Sequence, residues 1–295
     1  MIPATRRSPQ TRPHLLVRCA LACLVAVGLG GCALGVVYPR LDTLVGFYLQ
    51  GLVSLDRAQS AQLKTTLAGN LEWHRRSELE RYAALLRDMA AAVDGGTGRS
   101  DWLEASRRTE DYFRRIFEQA APGYTALAAT FTDAQVTELL ESLAAADEKT
   151  WREFARRTPP ERDARRGKSM IRAIERFTGT LDAAQRAAVR AHVAESPSFM
   201  PQWHENRRQW REALAATLAG RRSDPGFEAR MFVLIARPDD LWTPPYRAAV
   251  EHRRESLARL MATIDATLTP QQRAAARRQL LALAEEVQGL AGRRG

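Results

Sequence analysis

Leu55-Asp56-Arg57-Ala58-Gln59, Phe131-Thr132-Asp133-Ala134-Gln135, Leu181-Asp182-Ala183-Ala184-Gln185 and Leu268-Thr269-Pro270-Gln271-Gln272 are four versions of one pattern. Each is an apolar residue, then Asp or Thr, two variable residues, then Gln. An Asp or Thr side chain at a helix N-cap accepts a bond from an otherwise unpaired backbone N–H. A Gln three residues later reaches back to the cap residue's own N–H, which completes a capping box. Pro270 falls at the first helical position, where its missing N–H costs nothing. Each cap contributes about 1 kcal/mol to its helix. The four starts are spaced unevenly, at 76, 50 and 87 residues (131 − 55, 181 − 131, 268 − 181). The shared apolar lead and shared Gln point to related helical units, beyond what capping alone requires.

Outward from these starts, nearly every segment reads with helical period, and none sustains the alternation of a strand. Residues 38–53 place Leu41, Leu44, Val45, Tyr48, Leu49 and Leu52 on one stripe. A long candidate runs from Asp56 to Val93. Its apolar positions recur every four residues through Leu63, Leu67 and Leu71. They then follow a 3-4-3-4 seam through Leu79, Tyr82, Leu86, Met89 and Val93, which fits heptad packing. The two phases do not join, so a kink is expected between Gly69 and Ser77. Asp94 to Ser100 is a loop by composition. Further helices are expected at 101–120, 122–130, 132–157, 160–178, 182–195, 201–219, 225–236, 244–267 and 269–290, with prolines at their boundaries. The expected fold is all-α, an array of about ten helices over residues 41–290. A linker-like stretch at 158–167 divides it into two helical subdomains if it divides at all.

The chain has 295 residues and a formal charge of +10. Three cysteines exclude a disulfide scaffold and a four-cysteine zinc site. The first 31 residues hold Arg6, Arg7, Arg12 and Arg18, no acid, and the apolar run 19–31, the form of an export signal. A run of that length is too short for a membrane span, which needs about 20 residues. Arg6-Arg7 lacks the apolar residues that follow the pair in a twin-arginine signal. Leu29-Gly30-Gly31-Cys32 resembles the bacterial lipobox. The resemblance implies cleavage before Cys32 and lipid attachment to its thiol, a 32–40 tether, and membrane anchoring through the N-terminal lipid. Ala33, rather than Asp, after the anchor points to the outer membrane, with the domain facing the periplasm. The mature chain then keeps 295 − 31 = 264 residues and a charge of +10 − 4 = +6. Lys occurs only at 64, 149 and 168, so 44 − 3 = 41 of the basic residues are Arg, which a GC-rich genome would also produce.

Two further resemblances attach to these residues. The Leu-Thr-x-x-Gln form, closest at Leu268 to Gln272, is similar to the motif of small helical periplasmic stress chaperones, which hold partly folded clients in a curved cradle. The combination of lipobox, Tyr38-Pro39-Arg40-Leu41-Asp42-Thr43-Leu44, the first capped start, Trp73-His74-Arg75-Arg76-Ser77-Glu78-Leu79 and Tyr82 resembles a family of uncharacterised proteobacterial lipoproteins. That resemblance implies an exported helical protein and no particular mechanism.

Candidate binding residues cluster in two segments. Trp73, His74, Arg75 and Arg76 lie at the phase change of the long helix. Trp203, His204, Arg207 and Trp210 lie in a later unit, with Trp203, Arg207 and Trp210 on one helical face. Such tryptophans are more often core anchors than ligand platforms, because a Trp buries a large area. As a surface, it would take an envelope protein client or an anionic lipid. An exported chain gives no reason to expect a nucleic-acid partner. Catalytic patterns are missing: there is no Gly-x-Ser-x-Gly elbow, no phosphate-binding loop, no His-x-x-x-His pair and no cysteine nucleophile after maturation. No metal or cofactor is expected. The expected function is a non-catalytic binding or chaperone-like module. The alternatives are an envelope-modifying enzyme using a lone carboxylate such as Glu72 or Glu205, and a pure scaffold.

Overall fold

The computed structural model describes residue 35 and residues 37–292. The signal at 1–31, Cys32 and residues 33, 34 and 36 of the 32–40 tether lie outside the described residues. Within them the chain forms eleven α-helices and no strand, as the periodicity predicts. They are α1 Leu41–Gln50, α2 Arg57–Ser77, α3 Leu79–Gly95, α4 Arg99–Ala129, α5 Asp133–Ala155, α6 Pro159–Thr178, α7 Ala183–Glu195, α8 Met200–Ala219, α9 Phe227–Ala236, α10 Pro244–Ala266 and α11 Pro270–Ala291. Two 3-10 turns, Tyr38–Arg40 and Pro238–Leu241, complete the description.

All four repeated starts are capping boxes. Asp56, Thr132, Asp182 and Thr269 each accept from the Gln backbone N–H, and each Gln side chain accepts from the cap residue's N–H. The glutamines then do something that capping does not require. Gln59 Nε2 donates to Gln135 Oε1 at 3.1 Å, and Gln135 Nε2 donates back to Gln59 Oε1 at 2.6 Å. Gln185 and Gln272 exchange the same pair of bonds at 3.0 Å each. The remaining amide protons go to the carbonyls two residues before the opposite cap. Gln59 reaches Thr130 O and Gln135 reaches Ser54 O; Gln185 reaches Thr267 O and Gln272 reaches Thr180 O. Every donor and acceptor of each amide is thereby used. This is how Gln185 is 1% exposed and Gln59 4% exposed without an unpaired polar atom.

The four units are therefore two pairs with the same internal geometry. One pair joins the α1–α2 corner to the α4–α5 corner; the other joins α6–α7 to α10–α11. Each pair has its own core. Around the first, Leu63, Leu67, Leu127 and Phe131 pack with Leu214, Leu218, Phe227, Met231 and Leu234. Around the second, Ile174, Leu181 and Val189 pack with Leu260 and Ile264. The helices inserted within each pair cross to the other one. α3 lies along α11, antiparallel: Leu79 and Ala83 sit in one cluster with Leu283, Ala284, Val287 and Leu290, and Ala90 and Val93 sit in another with Ala276 and Leu280. Both seams step 4-3-4-3, which is heptad spacing, and alanines at 83, 90, 276 and 284 allow a close approach. In exchange, α8 and α9 complete the first core. Residues 158–167 thus hold a helix start, with the Thr158 N–H donating to Glu161 at 2.8 Å. They do not separate two independent cores.

Two expected boundaries move. The long helix breaks at Glu78, just past the expected window, where the heptad seam begins. Pro122 does not end a helix; it lies inside the 31-residue α4. Proline removes one helical bond and costs about 3 kcal/mol in a helix interior. Ala120, Ala121, Thr125, Leu127 and Ala128 are buried on both sides of it, and that tertiary packing holds the helix together.

The next residue, Gly123, marks where α4 meets α2. A Cβ there would lie 2.4 Å from Thr66 Cγ2. Gly69 sits in the interior of α2, and a Cβ there would meet nothing within 4 Å. The two substitutions should therefore differ in sign. Gly123→Ala is expected to destabilise by about 2 kcal/mol through overpacking. Gly69→Ala is expected to stabilise by about 0.5–1 kcal/mol through helix propensity. Urea melts of the two variants test this, and shifts of the same sign would contradict it.

Candidate functional site

Three elements form a cleft in the surface: the N-terminal half of α8, the Pro238–Leu241 turn and the start of α10. Pro201, Gln202, Glu205 and Gln209 line one side. Asp240, Leu241, Trp242, Thr243, Pro244 and Pro245 line the other, around a cleft of about 610 Å³. The walls are tied to each other by local chemistry. Buried Asn206 accepts the Thr243 backbone N–H at 2.9 Å, and Thr243 in turn caps α10 by accepting the Tyr246 N–H. Trp242 packs edge-on against Tyr246, with ring centroids 5.2 Å apart. Three prolines fix the backbone at the rim. The cleft therefore has rigid apolar walls with two amides and two carboxylates.

Glu205 is one of those carboxylates. Arg208 and Gln209 hydrogen-bond it, at 2.9 and 2.8 Å, and hold its pKa down at about 2. A general acid working near neutral pH needs the opposite shift. Glu72 is paired with both Arg75 and Arg76. Neither carboxylate is placed for glycosidase-type proton donation.

The second predicted segment lies on α8 behind this cleft. His204 stacks on Trp151, with centroids 4.7 Å apart. Arg207 lies over the Trp210 ring at 4.4 Å. Its guanidinium also meets Asp147, a buried carboxylate shared with Arg211. Trp210 donates its indole N–H to Leu234 O at 3.0 Å, locking α8 to α9. Among the described residues, no ring or cation–π contact joins Trp203 to Arg207 or Trp210, so the expected three-residue face is only partly assembled. The guanidiniums that suggested an anionic ligand, at 75, 76 and 207, all have carboxylate partners within the fold.

The first segment forms a hub elsewhere, at the α2–α3 break. The Tyr38 hydroxyl is 2.9 Å from His74 Nδ1, and the Tyr82 hydroxyl is 3.2 Å from Nε2. Trp73 lies under Arg115 at 5.9 Å. Arg115 donates twice to Glu78 Oε1, at 2.9 and 2.7 Å, and Glu78 is fully buried. The hub ties the start of the described chain to both long helices. Sequence reading missed Glu78 and Asp147, because an acid in a helix reads as solvent-facing until its partners from other helices are known.

Burial lowers the His74 pKa to about 4, against a smaller opposing effect of the Glu78 charge. The unfolded ring protonates near 6.5. Between these values the unfolded chain binds more protons, so stability should rise with pH. This contribution is complete above about pH 6.5, falls as pH drops, and levels off below about pH 4, for a total of about 3 kcal/mol. Urea midpoints at pH 7.5 and 4.5 measure the change. His74→Asn should remove most of it; an unaltered pH dependence in that variant would contradict the assignment.

A Ser256–His192 contact of 3.1 Å and a Ser256–Ser196 contact of 2.7 Å look like a nucleophile beside a base. Both serines are buried, and the trio fastens α7 to α10. Among the described residues, no three His, Cys, Asp or Glu side chains converge on a metal-sized site, and no helix is long and apolar enough to cross a membrane.

No curated protein and no solved structure shows significant similarity to the chain. A family model described as a family of unknown function, DUF6279, matches residues 51–247. The match spans the first pair of capped units, the third, and the whole cleft. The uncharacterised standing expected from the resemblance carried by Trp73 to Leu79 agrees with it, and the chain belongs to the DUF6279 family of unknown function.

Proposed function

We propose that the chain is an envelope lipoprotein, tethered through Cys32 to the outer membrane and facing the periplasm, whose helical body binds a protein client without transforming it. The observation that carries this reading is the Pro- and Trp-walled cleft between α8 and α10. Its size falls within the range of about 300–1,000 Å³ typical of binding pockets. The amides of Gln202 and Gln209 suit the backbone of an extended segment, and Trp242 and Leu241 suit an apolar side chain. Glu205 and Asp240 favour a basic or uncharged segment over an acidic one. The capped starts, similar to those of cradle-forming chaperones, support a holding role.

The test uses the lipidated protein purified from envelopes. It should slow aggregation of a partly folded model client, and Trp242→Ala should weaken that effect about ten-fold or more, the scale of losing one aromatic anchor. No protection at stoichiometric excess, or full protection by the variant, would remove the proposal.

A further inference from the structure

Helix α1 leaves an apolar face uncovered. Its packed side is formed by Val45, Gly46 and Leu49. Val45 and Leu49 join the first core, and a Cβ at Gly46 would lie 3.5 Å from Leu67 Cδ1. On the opposite side, Phe47 is 70% exposed and Leu44 39% exposed. They stand three residues apart, so they share one face. Within α1 the other exposed residues of that arc, Thr43 and Gln50, carry no charge, and the exposed cation Arg40 stands one turn before Leu44. Single exposed apolar residues are common, but an exposed apolar pair bordered by a cation and otherwise uncharged asks for an occupant.

The position of α1 in the chain indicates that occupant. It begins nine residues after Cys32 (41 − 32). Fully extended, such a segment reaches about 30 Å at most. A lipid on Cys32 therefore keeps α1 beside the bilayer at high effective concentration, where a short apolar face that would not bind alone can settle into the headgroup region. We infer that the Leu44–Phe47 face of α1 is a membrane-contact surface that rests on the phospholipid interface and sets the orientation of the helical body. This inference depends on the lipid-anchored reading above.

The test separates the two. The full lipidated protein carrying Phe47→Cys, and separately Gln271→Cys at the exposed start of α11, is labelled with bimane. Each is reconstituted in phosphatidylethanolamine–phosphatidylglycerol vesicles containing lipids spin-labelled near the top of the acyl chain. Flotation with the vesicles reports the anchor; quenching reports the face. The expected result is flotation of both, with fluorescence at 47 quenched about two-fold or more, as for a side chain at interfacial depth, and fluorescence at 271 little changed. Flotation with position 47 no more quenched than 271 would overturn the contact surface and leave the anchor standing; a second copy of the chain covering the face would give this result. Failure to float would remove the anchor, and the contact surface with it.

Discussion

Arg115→Met should lower the stability of the folded chain by about 3–5 kcal/mol, the scale of removing one member of a buried ion pair. The reason is Glu78. It lies at the break between α2 and α3 with no exposed surface, and one oxygen receives both guanidinium bonds. Its other oxygen has no hydrogen-bond partner in the fold. Arg115 itself keeps 40% of its side chain in water, so the cation costs little to place and most of the loss falls on the stranded carboxylate. For a chain this long the change corresponds to a melting shift of about 10 °C. The Glu78→Gln/Arg115→Met double variant should regain most of the loss, since a neutral amide is far cheaper to bury unpaired than a charge. A single variant within about 1 kcal/mol of the parent would show that Arg115 does not hold the break.

Gln185→Ala should cost about 3 kcal/mol, although it changes no charge and removes little apolar surface. It removes half of a capping box, about 1 kcal/mol. It also leaves one amide proton of Gln272 and the Thr267 carbonyl without a partner at a site from which water is excluded, at about 1–3 kcal/mol for each group, while Gln272 keeps its bonds to Thr180 O and the Thr269 N–H. Gln185→Glu is the sharper variant. It preserves size and the cap acceptor but replaces the donating amide with an oxygen facing Gln272 Oε1 and Thr267 O. It should be at least as damaging as alanine. Thermal melts read both, and a Glu variant as stable as the parent would contradict the described network.

The helices and their starts were legible because the signals are local. Asp56 and Gln59 are three residues apart, and their reciprocal bonds need no other part of the chain. The heptad seam from Leu79 to Val93 was equally plain, although its partner, α11, begins at residue 270. What the sequence could not disclose was the second use of each Gln. The amide of Gln59 finds Gln135 across 76 residues, and nothing near either one records it. Pro122 was misread for the converse reason. Its local cost is real, but the packing of α4 on both sides outweighs it.

The candidate residues divide in the same way. Trp73, His74, Trp203, His204 and Trp210 were recognisable as unusual, yet spacing along one helix cannot tell a platform from an anchor. His74 is enclosed by Tyr38 and Tyr82, and Arg207 is neutralised by Asp147 from α5, sixty residues earlier. The cleft itself went unnoticed because its walls, Gln202, Gln209, Leu241 and Trp242, belong to no motif. They become a site only because Asn206 pins the start of α10 against α8.

The claim on which the architecture rests is that four similar helix starts are two pairs, each locked by an exchange of glutamine amides. Double-mutant cycles over Gln59, Gln135, Gln185 and Gln272, each replaced by Ala and read by urea denaturation, test it most directly. Within each pair, Gln59 with Gln135 and Gln185 with Gln272, the losses should couple by about 1–3 kcal/mol. Across pairs, as for Gln59 with Gln272, they should add to within about 0.5 kcal/mol. Additive losses within the pairs, or coupling of equal size across them, would contradict the paired arrangement.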